Sequence, residues 1–135
     1  MDQNTPMEFK EREVLIIYKP KEKKDTNTYV LAKQLSEHIR EIDVFKDKLT
    51  QTQLKEIIDM LGVGVEELIE RDSDTYRETY KDKAFDEMGW IDVLIKNPDL
   101  LKTPIVFKGK KGVIISTPSN VLSLDPEHST KRVDK

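Results

Sequence analysis

A chain of 135 residues fits one domain with a core of its own, since a globular chain of that size buries about two-thirds of its unfolded surface without metal or disulfide staples. Lys and Arg number 23 against 26 Asp and Glu, a formal net charge of −3, so no global excess argues for nucleic acid or a membrane surface as partner. Cysteine is absent, which excludes disulfides, thiolate nucleophiles and thiolate metal sites together.

In chain order, the polar stretches 1–12 and 126–135 lack a hydrophobic period and are expected as flexible tails around a single domain over 13–125. Val14–Tyr18 is the longest apolar run, far too short to span a membrane, and Met1–Arg12 has no apolar stretch of the signal-peptide kind. The expected location is therefore the cytoplasm. The same run, bounded by the polar loop Lys19–Lys24, has the pattern of a central strand buried on both faces.

Asp25 or Thr26 can cap a following helix in which Leu31, Leu35, Ile39 and Ile42 recur at four- and three-residue spacing. Ile42–Phe45 then reads as a second strand, and strand–helix–strand implies a right-handed parallel crossover. Thr50-Gln51-Thr52-Gln53 matches a capping box ahead of Leu54, Ile57, Ile58 and Leu61, with Gly62 suited to the helix end. Gly64 and Glu67 suggest a short helix through Ile69, and Trp90–Ile95 a further one, ended by Asn97-Pro98 and flanked by Met88 as additional apolar surface. Pro104–Lys108 and Val113–Ser116 around the Gly109–Gly112 turn read as a hairpin. A terminal helix follows, with Thr117 as cap and Pro118 at its first position.

Taken together, Leu61-Gly62-Val63-Gly64-Val65-Glu66-Glu67-Leu68, then Asn97-Pro98 with Thr103-Pro104-Ile105-Val106, the strand Ile42-Asp43-Val44-Phe45-Lys46 and the stretch Ser116-Thr117-Pro118 resemble, in this order, the arsenate reductase/Spx family of thioredoxin-like proteins. The resemblance runs over roughly 14–124. It implies an α/β fold, a four-stranded mixed sheet of βαβ then ββα, with a helical insert over about 50–98, and a cis bond at Pro104.

The resemblance also shows what is missing. Counting back from Asp43 without gaps, the family's nucleophilic cysteine falls on Glu22 and an arginine four residues later on Thr26. Further arginine positions fall on Glu70, next to Arg71, on Thr103 and on Thr117. In the family, a thiolate at a helix N-terminus attacks an oxyanion held by arginines, which needs a soft, low-pKa nucleophile and fixed bidentate donors. A carboxylate supplies neither, and it repels an arsenate dianion.

No other residues offer a replacement chemistry. His38, placed late in the first helix, and His128, in the C-terminal tail, have no partner spacing that suggests a triad or a metal site. Glu66-Glu67, Glu70 and Asp72–Asp74 read as solvated surface. No metal and no cofactor is implied. Lys19, Lys21, Lys23 and Lys24 surround a helix N-terminus, whose N–H groups and dipole favour an exposed anion by about 0.3–1 kcal/mol. A solvated lysine-rich loop is the preferred reading, because no Gly-rich cradle accompanies them. Lys108, Lys110 and Lys111 read as a solvated hairpin turn.

The expected function is a catalytically inactive relative of arsenate reductase that uses the inherited surface for a protein partner. Through the Spx branch, RNA polymerase is one example, with no direct nucleic-acid contact and no membrane. Two alternatives stand beside it: an arsenate reductase-type oxidoreductase using an external thiol such as glutathione near Lys19–Lys24, and a small anion-binding module.

Overall fold

The computed structural model describes residues 6–125. The described residues divide into two compact units, one formed by Val44–Lys102 with Met7, the other by Glu8–Asp43 and the described residues from Thr103 on.

The second unit is built on β1, Val14–Tyr18, all five residues of which are buried. β1 leads into helix α1, Lys23–Ala32, and then into β2, Ile39–Asp43, which pairs parallel to β1 from Val14↔Ile39 to Tyr18↔Asp43. β3, Ile105–Lys108, lies antiparallel on the other side of β1, and β4, Lys111–Ile114, completes the order β2-β1-β3-β4. An apolar run in the middle of a sheet is what β1 predicts, because both its faces must be covered. On one face Val14, Ile16, Tyr18 and Val106 pack with Ala32 of α1 and with Val121. On the other face Leu15, Ile17, Ile105 and Phe107 are buried, and Phe9 meets the Phe107 ring edge-on at 4.9 Å.

Several boundaries differ from the sequence reading, each for a physical reason. The second strand starts at Ile39, three residues earlier than expected, and Phe45 lies beyond its end with 55% of its surface exposed. Ile39 and Ile42 mimic a continued helical stripe, yet α1 stops at Ala32 and both isoleucines serve an edge strand, whose charged residues suit its solvated side. His38 accordingly sits in the link before β2, where its carbonyl accepts the Val14 N–H at 2.9 Å, and not in the helix. β4 begins at Lys111 instead of Val113 because the hairpin turn is the two-residue Gly109-Lys110 loop, closed by Lys108↔Lys111. Gly109 takes φ +60 at the first central position, which favours glycine. Gly112 faces Phe107 so closely that a Cβ there would stand 2.2 Å from a ring carbon. The terminal helix, Pro118–Leu124, has 3₁₀ geometry, and its start is closed by the Asn120 side chain, which accepts the Thr117 N–H at 2.9 Å and the Ser116 N–H at 3.0 Å.

Residues 8–12, expected in a tail, are tied to this unit. Ser36 Oγ donates to the Arg12 carbonyl at 2.7 Å, and the Arg40 guanidinium donates to the Glu8 carbonyl. Residues 1–5 and 126–135, the rest of the expected tails and the site of His128, lie outside the described residues.

The other unit is helical. α2, Gln51–Leu61, opens with the capping box read from the sequence: Gln53 N–H to Thr50 Oγ1 and Thr50 N–H to Gln53 Oε1, both 3.1 Å. It ends on Gly62 at φ +69. The Gly64–Ile69 segment is a short 3₁₀ turn, Val65–Leu68, and a π-helical turn at Tyr76–Tyr80 has no counterpart in the sequence reading. α3, Glu87–Lys96, buries Trp90, Ile91, Val93 and Leu94, with the indole edge-on to Phe85 at 5.0 Å, whereas Met88 stands 47% exposed on the opposite side of the helix. Among the described residues no helix is long and apolar enough to cross a membrane.

Candidate functional site

The loop after β1 is shaped by one buried carboxylate. Glu22 N–H donates to the Lys19 carbonyl at 3.0 Å, turning the chain back into α1. Asp25, in the first turn of α1, is 1% exposed and points its Oδ2 at the Lys19 N–H, 2.8 Å away. Neither residue expected to cap the helix does so from the N-cap position. Glu22 occupies it in extended conformation with no side-chain hydrogen bond to the helix, while the Thr26 hydroxyl donates back to the Lys23 carbonyl at 3.1 Å. Glu22 is exposed, and its charge lies at the positive end of the helix, the favourable end for a carboxylate.

Register places the other positions. Ile17 pairs with Ile105, so extending the antiparallel pairing by one or two residues brings Pro104 and Thr103 alongside Tyr18 and Lys19. The Thr103–Pro104 bond is cis, and the Pro104 carbonyl accepts the Ile115 N–H at 2.9 Å, two residues before Thr117. Glu22, Thr26, Thr103, Pro104 and Thr117 therefore belong to the same end of the sheet. Thr103 is buried and Thr117 exposed. Glu70 belongs to the other unit, where its N–H donates to the Leu100 carbonyl at 2.7 Å and its side chain accepts the Asp72 N–H at 3.4 Å.

The four lysines are not equivalent. Lys19 is buried, Lys24 is half-buried, and Lys21 and Lys23 are exposed. The Asp25 carboxylate takes up one loop N–H and adds negative charge beside the helix start. Among the described residues, no group of three or more His, Asp or Glu side chains is arranged to hold a metal ion.

Beside the loop lies a polar cluster that the sequence reading missed. Tyr18 Oη donates to Glu41 Oε1 at 2.6 Å and Tyr29 Oη to Glu41 Oε2 at 2.7 Å, while the two rings stack at 5.6 Å. Lys33 Nζ sits 4.9 Å from the centre of the Tyr29 ring. The hydrogen bonds from Tyr18 and Tyr29 hold the Glu41 carboxyl below its ordinary pKa. Burial, and then the bond to Glu41, push the Tyr18 phenol up; for Tyr29 the bond to Glu41 is the main cause. The cluster ties α1 to the polar edge strand. A strand read as starting at Ile42 leaves Glu41 out of the sheet, so no sequence signal brought these residues together.

The family model described as the ArsC family matches residues 12–123. The chain belongs to the ArsC family. Its structure is similar to an arsenate reductase from Vibrio cholerae, with a TM-score of 0.76, 20% identity and coverage of 85% of this chain and 99% of that one. A provisionally named arsenate reductase from Yersinia pestis gives a TM-score of 0.75 at 24% identity, over 82% of this chain and 98% of that one. An arsenate reductase (ArsC) related protein from Brucella melitensis gives 0.61 at 18% identity, over 82% and 92%. No curated protein matches the chain. At these identities the neighbours speak for the fold, and the chain has the thioredoxin-like fold of the ArsC family. This member has no cysteine.

Proposed function

We propose that this ArsC-family chain is catalytically inactive and serves as a protein-interaction or regulatory module through the loop face inherited from the reductases. The observation that carries the reading is Glu22: an exposed carboxylate at the α1 N-cap, where the family resemblance places the nucleophile, in a chain with no sulfur nucleophile at all. Reduction of arsenate through a covalent sulfur intermediate needs a thiolate. The threonines at 26, 103 and 117 supply no charged donors to replace guanidinium groups. What the loop retains is exposed charge of both signs, from Lys21, Lys23 and Glu22, on a frame held by Asp25. RNA polymerase, by analogy with Spx, is one candidate partner in the cytoplasm.

Affinity capture from native cell extract tests this, comparing the wild-type chain with the double variant Lys21→Glu/Lys23→Glu. One stoichiometric protein retained by the wild type and lost by the variant is the expected result. Retention of the same protein by both would place its docking surface elsewhere.

The exposed Lys21 and Lys23 at a helix N-terminus favour a second reading, an anion-binding module or a reductase borrowing glutathione. It predicts heat on titration of the wild-type protein with phosphate, arsenate or glutathione, and none with the Lys21→Glu/Lys23→Glu variant.

A further inference from the structure

At the end of the sheet opposite the Glu22 loop, where β1 begins and the β3–β4 hairpin turns, a cleft of about 730 Å³ opens in the surface. Leu35 and Leu124, both buried, lie at its base, and Arg12, Lys108 and Lys111 line it with Glu11 as the one carboxylate. These three cations make no ion pair among the described residues, so their charge is not cancelled by a bonded acid. The chain as a whole carries a net charge of −3, so this groove concentrates positive charge against the general trend. The position is fixed by backbone contact: Gly109 lies against the backbone of Glu11, which brings the hairpin and the start of β1 together.

We infer that this groove docks an acidic segment of a partner protein, an extended peptide in which Asp or Glu alternates with Leu or Ile. The carboxylates meet the lining cations, and the aliphatic side chains lie over the base of the cleft. Charge complementarity selects the sign of the partner and sets its salt dependence. A nucleic acid fits less well, because Glu11 interrupts the cationic lining and no aromatic ring lines the cleft for bases to stack on. The inference is independent of the loop face, since no residue is shared between the two surfaces.

The test uses the full-length protein and fluorescein-labelled 12-residue peptides in fluorescence anisotropy: one alternating Glu with Leu, one alternating Glu with Ser, one alternating Lys with Leu. The Glu/Leu peptide is expected to bind at low salt and to weaken on going to high salt. Arg12→Glu/Lys111→Glu should weaken it roughly tenfold or more. An equally charge-reversed control at exposed positions elsewhere, Lys81→Glu/Lys83→Glu, should not. Arg12→Gln/Lys111→Gln, which removes charge without reversing it, serves if the first variant fails to fold, and should show a smaller loss in the same direction. No binding of the Glu/Leu peptide, equal binding of the Lys/Leu peptide, or undiminished binding by the groove variants would overturn the proposal. So would tighter binding of a single-stranded oligonucleotide, or a dimer in sedimentation that the groove variants abolish.

Discussion

At the scale of single residues, a carboxylate and hydroxyls stand where the family resemblance places sulfur and guanidinium, and on this rests the proposal of an inactive loop. Restoring the nucleophile alone should be insufficient: Glu22→Cys is expected to show no useful arsenate reduction, since Thr26, Thr103 and Thr117 still offer no charged donors to the oxyanion. Robust turnover by that single variant would show that the arginine positions matter less than argued. Glu22 itself is exposed and bonds no helix N–H through its side chain, so Glu22→Ala should leave urea melts nearly unchanged. Glu41 is different. Its pKa is lowered in the fold by the Tyr18 and Tyr29 bonds, so its contribution to stability is present above the ordinary value of 4.5 and is lost as pH falls through the lowered value. The raised pKa values of Tyr18 and Tyr29 give the opposite sign, a contribution present below the ordinary value of 10.0 and lost at more alkaline pH. Urea melts against pH should therefore show wild type more stable than Glu41→Gln near neutrality, with the gap closing below about 4.5; a gap independent of pH would contradict the cluster. Neither Asp25 nor Glu41 was legible as more than a helix cap or a surface acid. Burial and partner choice depend on where the neighbouring strands lie, which periodicity does not report.

At the scale of elements, the sequence was most informative where local chemistry decides. The apolar run of β1 and the Thr50/Gln53 capping box stand where the residues place them, because burial on both faces and reciprocal capping are local demands. β2 and β4 were misplaced by two or three residues because an edge strand takes its register from its neighbour, and Ile39 and Ile42 fit a helical stripe as readily as a strand. Two substitutions test the packing. Ile16 is fully buried in the centre of the sheet, so Ile16→Ala should cost about 2–5 kcal/mol in denaturant melts. Gly112→Ala should cost about 1–3 kcal/mol, since its methyl group would stand 2.2 Å from a ring carbon of Phe107. A near-neutral Ile16→Ala would argue against a central β1, and a near-neutral Gly112→Ala against the Phe107↔Gly112 register.

At the scale of the whole molecule, an ArsC-family frame persists in a chain without cysteine. The chain matches the family over residues 12–123 and has its thioredoxin-like fold, with a β2-β1-β3-β4 sheet and a cis Thr103–Pro104 bond, while it lacks cysteine entirely. Frame and chemistry can separate because the sheet and its core depend on β1, β3 and the helix packed on them, whereas the reaction depends on a few side chains at one end of the sheet. Partner choice left no comparable mark in the sequence, since charged surface residues carry little signal until the fold gathers them, as it gathers Arg12, Lys108 and Lys111 around one cleft. The most direct test of the central claim is an arsenate reduction assay on the purified full-length protein with thioredoxin, glutaredoxin and glutathione each supplied as electron donor. The account predicts turnover indistinguishable from a no-protein control with every donor; arsenite formation above that control with any of them would contradict it.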